Sequence, residues 1–296
     1  MANINFQEIH DLLVEIAYEA GRMITDARPS IDVAGTKKNS ADIVTETDQA
    51  VEKMVSTRLQ TVYPNYEFIG EETWKPGMKL TDAPTFIVDP IDGTTNFLHG
   101  FPHVCISLGF VLDKIPSVGV IYNPFLDELY TAIQGQGAFL KRPQKERVKL
   151  PIRQPAEPLG DLNTTLIAAE WGTDRYGNNF DVKVQTFTKL AAAQQNGGSM
   201  VHSLRALGSA ALNLCAVASG GLDAYWEGGC WAWDVAAGWC ILNEAGGIMA
   251  GGNPGDWQPT VDGRLFLAVR LAPSGQKEFV EKFWDVIGNG RMVYES

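Results

Sequence analysis

The segment Thr85–Asn96, which reads TFIVDPIDGTTN, constrains the fold and the chemistry of this chain more than any other. Its apolar start predicts a strand that ends at Asp89, because Pro90 cannot donate a hydrogen bond to a sheet ladder. Asp92 and Gly93 favour a turn, and the threonines that follow favour the start of a short helix. The segment therefore places two carboxylates at a strand end, beside free N–H groups of a helix N-terminus that can bind a phosphate.

The carboxylates of this segment suit a divalent metal ion. Carboxylate oxygens are hard ligands, and Mg²⁺ accepts a few of them while it keeps waters for exchange with a substrate. An Asp-Gly pair at a strand end is also an ordinary hairpin signal, but here a Thr-Thr pair follows it rather than a partner strand. Further acidic motifs support the metal interpretation; they lie at Ala41–Asp48, Phe68–Glu72 and Trp231–Asp234.

Size and charge narrow the possible functions. The chain has 296 residues, 45% of them apolar, which is enough to bury a core as one large domain or as two packed halves. Its net charge of −11 argues against nucleic acid or an anionic membrane as the main partner. Apolar runs stay below membrane-spanning length and the four cysteines lack CxxC spacing, so we expect free thiols in a cytoplasmic protein.

Apolar patterning predicts a mixture of helices and strands. Helices are predicted at Ile9–Ile24, Thr47–Tyr63, Asp181–Ala192, Ser209–Ala218, Asp234–Ala245 and Gln276–Ile287. Short β-rich runs predict strands at Glu67–Ile69, Thr85–Val88, Val104–Leu112, Ser117–Tyr122, Leu129–Ile133, Leu166–Ala168, Asp223–Trp226 and Arg264–Val269. We expect a mobile loop at Gly35–Ser40, and in the basic run Lys141–Arg153 an exposed hairpin that is a candidate seam between two halves.

In their order along the chain, these four acidic motifs resemble those of the inositol monophosphatase family of metal-dependent phosphatases. The resemblance covers nearly the whole chain, and the combination of DPIDGTTNF with a WD-x-x-AG motif is highly specific. Here the last motif reads WDVAAG, at Trp233–Gly238, with one residue more before the glycine than some members have. This departure lies beyond the aspartate and leaves its assignment intact.

The resemblance implies an architecture and a cofactor. It implies an α+β fold, a layered αβαβα sandwich, as a single domain over residues 1–296. Residues 1–150 would carry most metal ligands, and residues 151–296 would carry the substrate contacts and the last metal ligand. It also implies two Mg²⁺ ions, a third and weaker ion near Glu71 and the Lys37–Asn39 loop, a homodimer, and inhibition by Li⁺.

Carried over residue by residue, the resemblance implies a set of metal ligands. Glu71, Asp89 and the main-chain carbonyl of Ile91 would hold the first Mg²⁺. Asp89, Asp92 and Asp234 would hold the second. Asp234 could at the same time cap the apolar helix that it begins, since a carboxylate at a helix start has oxygens to spare.

The implied substrate is a small phosphate ester, with inositol monophosphate the leading candidate. Backbone N–H groups of Gly93 and Thr94 would bind the phosphate, and Glu227 together with the Gly208–Ala210 stretch would contact the inositol ring. The implied substrate-binding residues are Glu71, Ile91, Asp92, Gly93, Thr94, Gly208, Ser209, Ala210, Glu227 and Asp234.

Asp48, Glu71 and Thr94 are the predicted catalytic residues. A water on the first Mg²⁺, oriented by Glu71 and Thr94, would attack phosphorus in line, and the second Mg²⁺ would stabilise the departing oxygen. Asp48 would accept a hydrogen bond from Thr94 and so complete a proton-accepting dyad. An alternative role for Asp48 is only to cap the second helix.

Three other functions compete with this prediction. Another phosphatase of the superfamily, acting on 3′-phosphoadenosine phosphate or on a different sugar or polyol phosphate, would share the metal motifs. A haloacid-dehalogenase-type phosphatase is disfavoured, because its D-x-D-G-T motif is one residue shorter than the Asp89–Asp92 spacing here. A non-catalytic regulator is disfavoured because such proteins usually lose a ligand or the nucleophile-orienting pair, and this chain has them all.

Overall fold

The computed structural model describes residues 4–27 and 46–295, together with the backbone of residues 35–36 and 43–44. Its helices are α1 (Phe6–Asp26), α2 (Glu46–Val62), α3 (Thr94–His99), α4 (Gly177–Ala191), α5 (Ala210–Ala218), α6 (Ala232–Glu244) and α7 (Gln276–Ile287). Its strands are β1 (Gly35–Thr36), β2 (Ile43–Val44), β3 (Glu67–Gly70), β4 (Thr85–Asp92), β5 (Cys105–Leu112), β6 (Ile115–Asn123), β7 (Glu128–Ile133), β8 (Gly137–Lys141), β9 (Val148–Lys149), β10 (Leu166–Ala169), β11 (Ser203–Arg205), β12 (Ala224–Gly228), β13 (Ile248–Gly251) and β14 (Leu265–Val269). Among the described helices, none has both the length and the apolar character that a membrane crossing requires.

The first half of the chain builds a seven-stranded sheet in the order β3-β4-β5-β6-β7-β8-β9. β3 and β4 pair in parallel, and each later pair of neighbours is antiparallel. Side chains alternate between the two faces of a strand, so Phe86 and Val88 pack with α1 and α2 while Ile87 packs with α6. Both faces of this sheet are therefore covered by helices.

The second half builds a five-stranded sheet in the order β11-β10-β12-β14-β13. One face packs on α4 and α7, through residues such as Trp226, Phe279 and Phe283. The other face shares a core with α5, α6 and the first sheet, a core that includes Ile121 and Tyr225.

Helices α5 and α6 thus form the layer between the two sheets. Strand β6 and helix α6 lie close together. A Cβ built at Gly119 of β6 would lie 2.3 Å from the carbonyl oxygen of Ala237 in α6, so a larger residue would push the helix away. The layers run α1/α2, first sheet, α5/α6, second sheet, α4/α7. This arrangement confirms the predicted α+β layered sandwich.

Several local predictions are wrong. Strand β4 continues through Pro90 to Asp92, because its register shifts between Asp89 and Asp92 and a bulge relieves the proline of ladder pairing. Gly35–Thr36 belongs to a strand rather than to a loop, and residues 37–40 lie outside the described residues. The strands β8, β11 and β13 were not predicted. The pairing of β9 with β8 confirms the hairpin in the basic run.

Candidate metal and phosphate site

Three carboxylates converge at the end of β4 and the start of α6. Oxygens of Asp89, Asp92 and Asp234 lie within 4.8 Å of one another. Side chains three positions apart on a regular strand point to opposite faces, and the bulge between Asp89 and Asp92 breaks that alternation. The N–H of Ile91 donates to Asp89 Oδ1 at 3.0 Å and fixes that carboxylate within the bulge. The bulge therefore turns a strand end into a corner with two carboxylates.

Burial makes this cluster costly to ionise without a cation. Asp89 is 2% exposed, and its burial, followed by the charges of Glu71, Asp92 and Asp234, raises its pKa well above the usual range. Burial, followed by the charges of Asp92 and Glu71, also raises the pKa of Asp234. A bound divalent cation favours the ionised form of its carboxylate ligands. This all-oxygen donor set fits Mg²⁺ better than it fits Zn²⁺.

Asp92 is held by the N-terminus of α5. Its Oδ2 accepts hydrogen bonds from Ser209 Oγ at 2.6 Å and from the N–H of Ala211 at 2.8 Å. Ser209 is also the N-cap of α5, where its Oγ accepts from the N–H of Leu212. Burial raises the pKa of Asp92 to about 6, although the two hydrogen bonds favour its ionised form. The predicted substrate stretch thus contacts a predicted metal ligand directly.

Asp234 occupies the third position of α6, so the prediction that it begins this helix as the N-cap is wrong. The residue before the helix is Trp231, and its N–H donates to Asp234 Oδ2 at 2.6 Å. A carboxylate at this position satisfies a free N–H of the helix start and lies at the positive end of the helix dipole. Capping through one oxygen leaves the second oxygen of Asp234 for a cation.

Thr94 lies between two acceptors at the start of α3. Its Oγ1 is 3.4 Å from Asp48 Oδ1 and 3.1 Å from the carbonyl oxygen of Ile91. A hydroxyl has one proton to donate and two lone pairs to accept with, so Thr94 can donate to one of these groups at a time. Asp48 is 1% exposed and is the third residue of α2, so it does not precede that helix as an N-cap. The two groups of the predicted dyad, 46 positions apart in sequence, therefore lie within hydrogen-bond distance of each other.

Gly93 shapes the turn between these groups. It adopts φ +93°, a left-handed conformation that glycine accepts without strain, and a Cβ there would lie 2.8 Å from the carbonyl oxygen of His103. The carbonyl of Gly93 accepts from the N–H of Phe97 and closes the first turn of α3. The N–H groups of Gly93 and Thr94 are not needed for helical pairing at this end of the helix.

Glu71 follows β3 and is anchored by its backbone, whose N–H donates to the carbonyl of Val88 at 3.1 Å. The next N–H, of Glu72, donates to Glu52 Oε2 at 2.7 Å. Glu52 is 1% exposed, and a Cβ built at Gly70 would lie 2.5 Å from its carboxyl carbon. Sequence reasoning missed Glu52 as a support of this loop, although its spacing of four residues from Asp48 puts both on one face of α2.

Glu170 is a second buried carboxylate that sequence reasoning missed. Its Oε1 accepts from the N–H groups of Leu207 and Gly208, at 2.6 and 3.0 Å, and from Asn213 Nδ2 at 2.8 Å. These bonds fix the backbone that enters the Gly208–Ala210 stretch. No short motif marks Glu170, because its three donors come from a distant part of the chain.

Asn96 of α3 fixes the same stretch from the other side. Its Nδ2 donates to the carbonyl of Leu207 at 2.7 Å and to the carbonyl of His103 at 2.9 Å. Because α3 also begins with Thr94, the helix joins the predicted phosphate-binding turn to the predicted ring-contacting stretch.

Glu227 lies at the end of β12 and receives a hydrogen bond from the hydroxyl of Tyr225. Burial, followed by the charge of Glu170, raises the pKa of Glu227 to about 7, although the charge of Lys183 acts in the opposite direction. The charge of Asp92 raises it as well, so Glu227 lies within electrostatic reach of the carboxylate cluster. The residues Lys37–Asn39, near which a third ion was predicted, lie outside the described residues.

Comparisons with known proteins agree with this geometry. A family model described as the inositol monophosphatase family matches residues 5–287. The chain is 49% identical over 264 residues to inositol monophosphatase 2 of Saccharomyces cerevisiae, which covers 87% of this chain and 86% of that protein. It is 40% identical to inositol monophosphatase 1 of the same yeast, over 99% of both chains.

A solved structure extends the agreement to the fold. An IMPase from Thermotoga maritima superposes with a TM-score of 0.74 at 26% identity, over 94% of this chain and 97% of that one. Family model, full-length relatives and fold coincide along almost the whole sequence. The chain therefore belongs to the inositol monophosphatase family.

Proposed function

We propose that this protein is a Mg²⁺-dependent phosphatase that releases phosphate from a small polyol phosphate, with inositol monophosphate the leading substrate. The observation that carries the proposal is the convergence of Asp89, Asp92 and Asp234 within 4.8 Å, beside a turn that offers N–H groups and the Thr94 hydroxyl. Both yeast relatives are inositol monophosphatases, which supports inositol monophosphate as the substrate.

The proposed metal ligands divide into two overlapping sets. Glu71, Asp89 and the carbonyl of Ile91 would hold one Mg²⁺, and Asp89, Asp92 and Asp234 would hold a second. When bound, the ions would activate water, polarise the phosphate and neutralise charge that develops in the transition state. Phosphoryl transfer asks little covalent chemistry of the protein, so the remaining work of the chain is to position groups and to manage a proton.

Thr94 and Asp48 would accept the proton that the attacking water releases. With its own proton directed to Asp48, the Thr94 Oγ1 keeps lone pairs that can accept a hydrogen bond from the attacking water. Glu71 would help to orient the same water. As the water oxygen bonds to phosphorus, its proton would pass to this pair. The ester P–O bond would break on the opposite side of phosphorus, and the released oxygen would take up a proton from solvent water to give the alcohol.

Recognition of the substrate would fall to the N–H groups of Gly93 and Thr94 and to the groups around α5 and β12. Gly208–Ala210 and Glu227 would contact the hydroxyls of the ring. A glutamate with a pKa of about 7 is partly protonated near neutral pH, so Glu227 could accept a hydrogen bond from a hydroxyl or donate one to it.

We further propose one domain with most metal ligands in residues 1–150, a homodimer, a cytoplasmic location and inhibition by Li⁺.

Phosphate release from a panel of esters tests the proposal. Purified protein with Mg²⁺ should hydrolyse inositol 1-phosphate faster than 3′-phosphoadenosine 5′-phosphate or glycerol 2-phosphate, and EDTA should abolish the activity. Asp89→Asn should be inactive, whereas Asp82→Asn, at an exposed aspartate, should match the wild type. Faster hydrolysis of the nucleotide would mean that the protein is a nucleotide phosphatase of the same superfamily. Activity that persists in EDTA would refute the metal mechanism.

A further inference from the structure

The segment Arg291–Glu295, named here the 291–295 strap, is fastened by asparagine side chains of α4 and of the loop that follows β13. Asn253 Nδ2 donates to the carbonyl of Met292 at 2.8 Å, and the N–H of Met292 donates to Asn253 Oδ1 at 2.9 Å. Asn179 pairs with Val293 in the same two-way manner, at 2.8 Å for each bond. Each amide satisfies both backbone groups of one strap residue, as a neighbouring strand would.

The strap ends on the loop that follows Glu227. Tyr294 Oη donates to the carbonyl of Gly228 at 3.0 Å, and Lys183 Nζ, on a side chain 2% exposed, donates to the same carbonyl at 2.6 Å. Met292 packs against the loop as well, since a Cβ at Gly228 would lie 2.8 Å from its sulfur. One carbonyl is therefore held by two donors, one of them supplied by the strap.

Arg264 ties the strap to the rest of this loop. Its Nε donates to the carbonyl of Cys230 at 2.6 Å and its Nη2 to the carbonyl of Gly229 at 2.8 Å, while its Nη1 donates to the carbonyl of Glu295 at 3.0 Å. The guanidinium also stacks on Trp231, with Cζ 3.4 Å from the ring centroid. A single planar side chain thus binds loop and strap together.

The loop needs such external support because of its composition. Gly228 and Gly229 restrict their own backbone little, and Gly229 adopts φ +108°. The loop connects Glu227, the proposed contact with the substrate ring, to the start of α6, which carries Asp234. A displacement of the loop backbone would therefore change the position of Glu227 relative to the metal cluster.

We propose that the 291–295 strap, with Lys183 and Arg264, positions the Gly228–Cys230 loop and thereby makes the site selective for a ring-bearing phosphate over a small acyclic one. This inference rests on the proposed function. The strap residues do not touch the reacting phosphate in this scheme; they act through Glu227.

Steady-state kinetics on two esters test the inference. Tyr294→Phe removes one donor to Gly228, and a chain that ends at Gly290 removes the whole strap. Tyr176→Phe, at a tyrosine that is 89% exposed, is the matched control. Since one net hydrogen bond is involved, we expect KM for inositol 1-phosphate to rise about fivefold in Tyr294→Phe and further in the shortened chain. KM for glycerol 2-phosphate should stay at the wild-type value in both.

An equal rise of KM for both esters, or a fall of kcat alone, would assign the strap a merely structural role and overturn the inference. So would an unchanged KM ratio in the shortened chain; if that chain does not fold, the ratio in Tyr294→Phe decides alone. Amide hydrogen exchange in residues 226–231 gives a second readout and should accelerate when the strap is removed. Should the wild type fail to cleave inositol 1-phosphate, the proposed function fails, while the exchange measurement still tests the support of the loop.

Discussion

Metal-free protein should lose stability as the pH rises, because its clustered carboxylates must then ionise while buried. The pKa of Asp92 is about 6 in the folded chain, against 3.8 for an ordinary aspartate. A carboxyl group whose pKa is raised on folding is protonated in both states at low pH, and it destabilises the fold as the pH passes through its folded-state pKa. The difference of about two pH units corresponds to about 3 kcal/mol of unfolding free energy, lost mainly between roughly pH 4 and pH 6.

Asp89 and Asp234 act in the same direction, since the pKa of each is raised by burial and by its charged neighbours. Mg²⁺ competes with protons for these oxygens, so its stabilising effect should be larger at high pH than at low pH. Urea unfolding in EDTA and in Mg²⁺, at a series of pH values, measures both effects. Asp92→Asn should flatten the profile in EDTA, because the amide does not titrate, whereas Asp82→Asn should leave it unchanged.

The reasoning fails if the free energy of unfolding in EDTA stays level or increases from roughly pH 5 to pH 8. It also fails if Mg²⁺ stabilises the protein equally at both ends of that range. Either result would mean that the carboxylates are not forced together before the metal binds.

Two further predictions concern groups around the cluster. Asp48→Asn or Thr94→Ala should lower kcat by about 10²–10⁴-fold, the usual contribution of a general acid–base group, with an unchanged melting temperature; near-normal turnover in either variant would remove the pair from the mechanism. Glu52→Leu removes the acceptor of the Glu72 N–H, so it should destabilise the protein by about 1 kcal/mol and raise the Mg²⁺ concentration needed for half-maximal activity. Glu52→Gln keeps an acceptor oxygen, so its stability and its Mg²⁺ requirement should be close to those of the wild type. An equal Mg²⁺ requirement in the wild type, Glu52→Leu and Glu52→Gln would show that Glu52 supports only the fold.

Local patterns predicted much of the fold. The periodicity of α1 and α2 placed both helices to within a few residues, since a helix that packs on a sheet must repeat its apolar side chains on one face. The strand at Thr85 and the turn at Asp92-Gly93 were predicted for a similar reason, because each is encoded by neighbours in sequence.

Local sequence patterns did not predict which segments that are far apart in the chain contact each other. Several tryptophans lie close together in residues 226–239, yet Trp226 packs on Phe283 while Trp231 and Trp233 pack on Trp74. Alternation along β12 and the turn that follows it direct these rings into different layers.

The sequence by itself determined which residue types are available: strand ends rich in carboxylates, a glycine where the turn needs a positive φ, and two threonines at a helix start. Only the tertiary structure decided which of them meet. A bulge brings Asp89 and Asp92 to one corner, a helix from the second half supplies Asp234, and buried Glu52 and Glu170 orient the backbone around them. The physical reason is that like charges come together only where the packing of many residues far apart in the chain outweighs their repulsion, and no short segment contains that balance.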